Sequence, residues 1–225
     1  RSVPPVSEIP EPPAKLAERD VWICWREEER DGKQTKVPIK PYDASDHPFA
    51  SSTDSSTWRS FEEARDYHET GRTRTDGIGF VFGEEDVLVG LDLDDVRDPE
   101  TGDVLDWARE VIMQMDSYTE YSPSGTGYHI VAVGIKPGDV CKAEQAETLE
   151  ADEFEKSELE MYDESRFFTY TGDALQGFGG EDVEQRAAAV KDVYNEYMAD
   201  DDSQLDEYGG TPGAGTGTAD TPELD

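Results

Sequence analysis

Hydrophobic and polar residues alternate in several short segments of the chain, and each such segment predicts a β-strand. These strands cover residues 21–27, 36–40, 78–82, 87–94, 128–134, 159–163 and 167–172. Four helices are predicted over residues 14–19, 57–70, 104–116 and 181–199. Residues 138–158 are acidic and only weakly periodic, which favours a loop with a helical turn. The irregular order of strands and helices predicts an α+β domain, with a mixed sheet that carries helices on one face.

Composition divides the chain into three parts. Residues 1–13 contain five prolines and predict an extended arm, while residues 14–199 hold the periodic segments of a single domain. Residues 200–225 are rich in Asp, Gly, Thr and Pro, which is typical of a flexible linker, here expected to lead to a further C-terminal domain. Arg1 in place of Met predicts a processed or trimmed start. The two cysteines are too few for a disulfide framework or a cysteine zinc site.

The charge balance is strongly acidic, with 54 acidic residues against 20 basic ones and a net charge of −34. At molar salt the Debye length is only about 3 Å, so the self-repulsion of such a protein is screened. We therefore expect a halophilic protein in a high-salt cytoplasm. No apolar run is long enough for a transmembrane helix, and we expect neither a secretory signal nor a membrane partner. A nucleic-acid partner is compatible with this surface, provided that binding needs no broad basic face.

The segment VLVGLDLDD carries the first candidate chemistry. Acidic residues are so abundant that an acid-x-acid pair has no weight by itself, but this pair lies on a hydrophobic strand. Alternation places Asp92 and Asp94 on one face, roughly 6.5–7 Å apart, together with Gly90, which we expect to leave room for a ligand. Two such carboxylates are suitable ligands for Mg²⁺ or Mn²⁺. The alternative is a solvated strand face in an acid-rich protein.

Three further segments contain candidate ligands. The turn Ser122–Gly127 offers backbone N–H groups to phosphate oxygens, and His129 follows it directly. Alternation in ELEMY places Glu160 on the polar face as a third acid, and Arg166 opens the next strand, where it can clamp a triphosphate. For each segment a plain surface hairpin is the alternative. The last of the three segments concentrates five bases in fifteen residues, and these are Arg26, Arg30, Lys33, Lys36 and Lys40.

In this order the motifs resemble the archaeo-eukaryotic primase superfamily, and more narrowly the primase-polymerase domains of phages, plasmids and proviruses. The resemblance covers about residues 20–175, and the ordered combination is far more specific than any one motif. The matching segments are VWICW, KVPIKP, the stretched ASSTDSSTW, GIGFVF, GLDLDD, SPSGTGYHI and EMYDESRFFTYTG.

The resemblance implies an α+β core with an RRM-like unit and a template-dependent nucleotidyltransferase activity with two Mg²⁺ or Mn²⁺ ions. It implies that Asp92, Asp94 and Glu160 form the acidic triad. His129, with Arg166 and Lys36, would contact the triphosphate of the incoming NTP or dNTP. Many relatives have Ser-x-His where this chain has Gly127, so that the backbone N–H of Gly127 would replace the hydroxyl. Ser124 is a further candidate in the same turn.

The implied partners are a single-stranded DNA template and a helicase, either C-terminal or separate, in the replication of an archaeal virus or plasmid. Two alternatives stay open. The first is a nucleic-acid-binding replication module without catalysis. The second is a metal-dependent nuclease that uses the same carboxylates to activate water.

Overall fold

A computed structural model describes residues 9–30, 32–44, 47–71, 73–84, 86–145 and 156–199. Most of the predicted arm and all of the predicted linker lie outside these residues. Among the described residues, no helix combines the length and apolar character needed to cross a membrane. In chain order, the elements are α1 (Ala14–Ala17), β1 (Trp22–Arg30), β2 (Lys33–Ile39), α2 (Phe61–Thr70), β3 (Gly77–Phe82), β4 (Leu88–Asp94), α3 (Asp106–Met115), β5 (Thr119–Tyr121), β6 (Tyr128–Val133), β7 (Lys142–Gln145), β8 (Ser157–Tyr162), β9 (Arg166–Tyr170) and α4 (Ala187–Tyr197).

The strands form two sheets, and the α+β class predicted from the sequence is confirmed. One sheet has four strands in the order β2-β1-β3-β9, and the other has five in the order β5-β6-β4-β8-β7. All ladders between these strands are antiparallel, so the single mixed sheet of the prediction is replaced by two antiparallel sheets. The short strands β5 and β7 are not among the predicted strands.

The five-stranded sheet is covered by helices on one face. Its apolar side chains Val89, Leu91 and Leu93 are fully buried in a core shared with α3 and α4. The helices contribute a stripe of buried side chains that follows the helical period, for example Ala108, Ile112 and Val190. Helices on one face were predicted, and for this sheet they leave the opposite face available for polar side chains.

A second core surrounds Trp22 in the four-stranded sheet. The Trp22 ring makes edge contacts with the rings of Phe61, Phe80 and Tyr170 at centroid distances of 4.9–5.6 Å. Phe61 is the first residue of α2. Ser60 caps the helix and forms a capping box with Glu63, and the helix ends at Gly71, which adopts the left-handed conformation. The first residues of the predicted helix over residues 57–70 are not α-helical, and Asp54 instead caps a short 3₁₀ turn over Ser55–Thr57, where its carboxylate accepts from the backbone N–H of Ser56.

The two sheets meet over Gly90. A Cβ atom at this position would lie 2.6 Å from Cε2 of Phe168 and would also collide with the ring of Phe82. Phe82 ends β3 and Phe168 lies in β9, so both rings belong to the four-stranded sheet. The expectation that Gly90 leaves room for a ligand is therefore wrong, because aromatic side chains fill this space.

The chain passes from one sheet to the other after β3 and again after β8. β3 and β4 follow one another closely in sequence, as do β8 and β9, yet each pair is divided between the two sheets. Ser165, just before β9, has a φ of 56° in the left-handed region, which turns the chain sharply before Arg166. The sheet crossing thus places Arg166 opposite the polar face of the five-stranded sheet.

Replacing Gly90 with Ala should destabilise the fold. The added methyl group has no space between the sheets, and overpacking of this kind costs about 1–3 kcal/mol in the free energy of unfolding. Denaturant unfolding in molar KCl measures this change. As a control, Phe82→Leu should cost less in the Gly90→Ala background than in the wild type, since the smaller side chain admits the methyl group. If the two substitutions changed the free energy of unfolding additively, the close contact between residue 90 and Phe82 would be contradicted.

Candidate functional site

A row of charged side chains crosses the whole five-stranded sheet. The strand register places Glu120 opposite His129, His129 opposite Asp92, Asp92 opposite Glu160, and Glu160 opposite Lys142. Side chains directly opposite one another lie on the same face of a sheet, roughly 4.5–5.5 Å apart. The row therefore lies on the face that α3 and α4 do not cover, and brings five groups from five strands together.

Asp92 lies at the centre of this row and is largely buried, with its side chain 17% exposed. Its Oδ1 atom lies 3.7 Å from Nε2 of His129 but has no hydrogen-bond partner. Burial raises the pKa of Asp92, and the nearby carboxylate of Glu160 raises it further, while His129 acts in the opposite direction. A buried carboxylate oxygen without a partner is costly, so this atom is suited to a ligand that the protein itself does not supply.

An acidic cluster lies next to Asp92. One carboxylate oxygen from each of Asp94, Glu158 and Glu160 can be chosen so that all three lie within 4.8 Å of one another. Burial, Asp92 and Glu160 together raise the pKa of Asp94 to about 7. Burial and this repulsion disfavour the ionised form of Asp94, and a cation bound beside it would relieve the repulsion.

Two basic residues compensate the charge of this cluster. The Lys142 ammonium group contacts Glu158 and lies 3.1 Å from Oε1 of Glu160. The hydrogen bond with Glu158 raises the pKa of Lys142, which keeps it charged. Arg166 lies 3.3 Å from Oε2 of Glu160, which also accepts the hydroxyl of Tyr162 at 2.9 Å.

A cavity of about 500 Å³ opens between the two sheets over Asp92 and His129. Phe168 forms part of its wall and stacks on the His129 ring, with a centroid distance of 4.9 Å. The cationic side chains Lys36 from β2 and Arg166 from β9 also line it. This arrangement can bind an anionic ligand between cations of one sheet and the carboxylate-bearing face of the other.

The structure brings six of the eight predicted residues together. Four of them line the cavity, namely Lys36, Asp92, His129 and Arg166. The other two, Asp94 and Glu160, belong to the adjacent acidic cluster. Of the basic stretch, only Lys36 lines the cavity, while Arg26 and Arg30 pair with Glu28.

Ser124 and Gly127 do not line this cavity. Ser124 lies in the turn beside Arg97 and Tyr121, where its hydroxyl exchanges hydrogen bonds with Ser122 and Thr126. The N–H of Gly127 donates to the Ser122 hydroxyl at 3.2 Å, so it is engaged within the turn. A Cβ atom at Gly127 would collide with the backbone of β4, which explains the glycine as a close approach of two strands.

The residues present fit a divalent cation. The three carboxylates of the cluster and the partnerless Oδ1 of Asp92 supply hard oxygen ligands, which Mg²⁺ and Mn²⁺ prefer. Asp92 is the neighbour of Glu160 in the row, so a cation held by the cluster would lie close to the cavity.

Three residues of the site were not predicted from the sequence. Glu158 shares the alternation of Glu160, and this parity was the available signal. Lys142 lies in the segment that was predicted to be a loop. Glu120 lies in a three-residue strand, and in so acidic a chain nothing in its local sequence marks it. Lys142 and Glu120 reach the site only through pairing between strands that are distant in sequence.

The geometry describes a site for a divalent cation next to a site for an anion. The chain is 34% identical over 158 residues to the DNA primase-polymerase of Nitratiruptor phage NrS-1. The match covers 69% of this chain but only 20% of the phage protein. No protein-family model matches the chain. The chain is thus similar to about one fifth of a phage primase-polymerase, which is the class of protein that the motifs resemble.

Removing the Lys142 ammonium should strengthen cation binding. In the Lys142→Met variant the cluster loses a competing positive charge, and we expect Mn²⁺ to bind about fivefold more tightly, since partly exposed ion pairs contribute about 1 kcal/mol at most. Isothermal titration calorimetry measures the affinity. Lys156→Met is the matched control, because Lys156 pairs with Glu144 on the same edge of the sheet but does not contact Glu160. Unchanged or weaker binding in Lys142→Met would show that Lys142 does not occupy the cation position.

Proposed function

We propose that this chain is the catalytic domain of a template-dependent nucleotidyltransferase, acting as a DNA primase, a DNA polymerase or both. The observation that carries the proposal is the position of Asp92, which lies between the acidic cluster and the cationic cavity. The similarity to a phage primase-polymerase supports the same reaction class. The substrates would be a single-stranded DNA template and NTPs or dNTPs, in the replication of a mobile element.

The acidic side of the site would hold the metal ions. Asp92, Asp94 and Glu160 are the proposed ligands, and Glu158 lies close enough to join them. Bound Mg²⁺ or Mn²⁺ would lower the pKa of the attacking 3′-hydroxyl group and neutralise charge on the triphosphate. The protein contributes by fixing the carboxylates on neighbouring strands, so that they need no rearrangement to act.

The cationic side would bind the triphosphate. Lys36 and Arg166 project from the four-stranded sheet, and His129 lies on the floor of the cavity with Nε2 on the side of Asp92. Arg166 is 48% exposed and presents several N–H donors in a planar arrangement suited to phosphate oxygens. The three groups would therefore bind and orient the nucleotide. A helicase partner stays a prediction from the family resemblance.

The first test is nucleotide addition by the wild type and by two metal-site variants. Asp92→Asn and Asp94→Asn should each lose more than about 100-fold in kcat, because even outer-shell partners of a metal site cost about 10–100-fold when removed. The assay uses labelled NTPs or dNTPs, a single-stranded template, and Mn²⁺ or Mg²⁺ in near-molar KCl, with and without a primer. Asp192→Asn, an exposed acid on α4, is the matched control.

The outcomes separate the alternatives. Wild-type activity in either metal-site variant would contradict the metal assignment. Breakdown of the template without release of pyrophosphate would identify a nuclease, and DNA binding without nucleotide incorporation would identify a non-catalytic module. Circular dichroism of each variant verifies that the fold is retained.

The nucleotide-binding role of Lys36 can be tested separately from the chemistry. Lys36→Gln should raise the KM for the nucleotide roughly tenfold with little change in kcat, since a hydrogen bond to a charged group contributes about 1.5 kcal/mol or more. Lys33→Gln is the matched control, because Lys33 lies on the same strand but does not line the cavity. Equal KM values for the two variants would remove Lys36 from the nucleotide site.

A further inference from the structure

Glu120 is a buried acid that the proposed function does not use. Its exposed fraction is only 1%, and it lies on the short strand β5 directly opposite His129. Burial of a carboxylate is costly unless it forms hydrogen bonds or ion pairs, so the partners of Glu120 indicate its role.

Four donors converge on the two oxygens of Glu120. Oε2 accepts from the Tyr118 hydroxyl and from the N–H of Gly172, both at 2.9 Å. Oε1 accepts from the N–H of Thr171 at 3.1 Å and lies 3.4 Å from Nδ1 of His129. An ionised carboxylate has acceptors only, so Nδ1 of His129 must carry a proton in this contact.

This contact determines which ring nitrogen faces the cavity. With Nδ1 directed at Glu120, the opposite nitrogen Nε2 lies 3.7 Å from Oδ1 of Asp92. The ring of Phe168 stacks on the imidazole at an interplanar angle of 28° and restricts its tilt. The contact with Glu120 restrains the rotation of the imidazole within its own plane.

We propose that Glu120 is a positioning residue that holds the His129 imidazole with Nε2 directed into the nucleotide cavity. The inference rests on the proposed function, in which His129 contacts the triphosphate. It assigns to Glu120 a role through His129, as outer-shell carboxylates orient the histidine ligands of metal sites.

The competing explanation is a purely structural clamp. Glu120 also ties β5 to the turn after β9 through its bonds to Thr171 and Gly172. A useful variant must therefore keep those bonds while changing the contact with His129.

Glu120→Gln keeps the bond to Gly172 and the Oε2 contact with Thr171, and of these backbone contacts it loses only the one between Oε1 and Thr171. Its amide oxygen can occupy the position of Oε2, where Tyr118, Gly172 and a second, 3.3 Å contact from Thr171 all donate. The amide NH₂ group then faces Nδ1 of His129 and cannot accept its proton. Tyr118→Phe is the matched control, because it removes a structural donor to Glu120 and leaves the His129 contact in place.

The first readout is the imidazole spectrum of ¹⁵N-labelled protein at one fixed pH. The chain has only three histidines, and His129→Gln identifies the signal of His129. In the wild type and in Tyr118→Phe we expect a protected Nδ1–H proton, and in Glu120→Gln we expect it to be lost.

The second readout is the Kd for a nucleotide with Mn²⁺, measured by calorimetry without turnover. Glu120→Gln should weaken binding roughly tenfold, the lower end of the loss when an outer-shell partner is removed. It should cause no further loss in the His129→Gln background, since it acts only through that ring.

The two proposals fail in different ways. If Glu120→Gln binds the nucleotide as tightly as the wild type, or if its effect adds to that of His129→Gln, the positioning role is wrong and the nucleotide site stands. If the wild type itself binds no nucleotide, the proposed function fails, and the positioning role fails with it.

Discussion

The register of the five-stranded sheet decides which functional groups meet in this protein. Glu120, His129, Asp92, Glu160 and Lys142 come from five strands and face one another only because each strand pairs without a slip. A shift of one residue in any strand would turn its side chains to the opposite face. The apolar residues that alternate with this row are buried against α3 and α4, so hydrophobic packing on one face fixes the chemistry on the other.

The row also concentrates like charge, which the fold must compensate. Asp92, Asp94 and Glu160 repel one another, and burial together with this repulsion raises the pKa values of Asp92 and Asp94. Compensation comes from Lys142 at one end and from Arg166 on the other sheet. Packing of Phe82 and Phe168 over Gly90 holds the sheets together beside this repulsion.

Local patterns predicted most elements and the centre of the site. Alternation in VLVGLDLDD identified the face of Asp92 and Asp94, and the parity of ELEMY identified Glu160, because a strand period of two is a property of the segment itself. The division of the strands into two sheets and the space over Gly90 depend on contacts between distant segments. Lys142 and Glu120 were not predicted for the same reason. Only strand pairing brings Lys142 to Glu160 and Glu120 to His129.

The site is assembled from two sheets with different roles. The carboxylates and His129 belong to the five-stranded sheet, whereas Lys36 and Arg166 belong to the four-stranded sheet across the cavity. A ligand that carries phosphates and bound cations would therefore contact both sheets at once, and its charges would complement each side. Because Arg166 also pairs with Glu160, the cations that neutralise Glu160 would release Arg166 toward the phosphates. Metal and nucleotide binding are thus expected to favour one another through a single arginine.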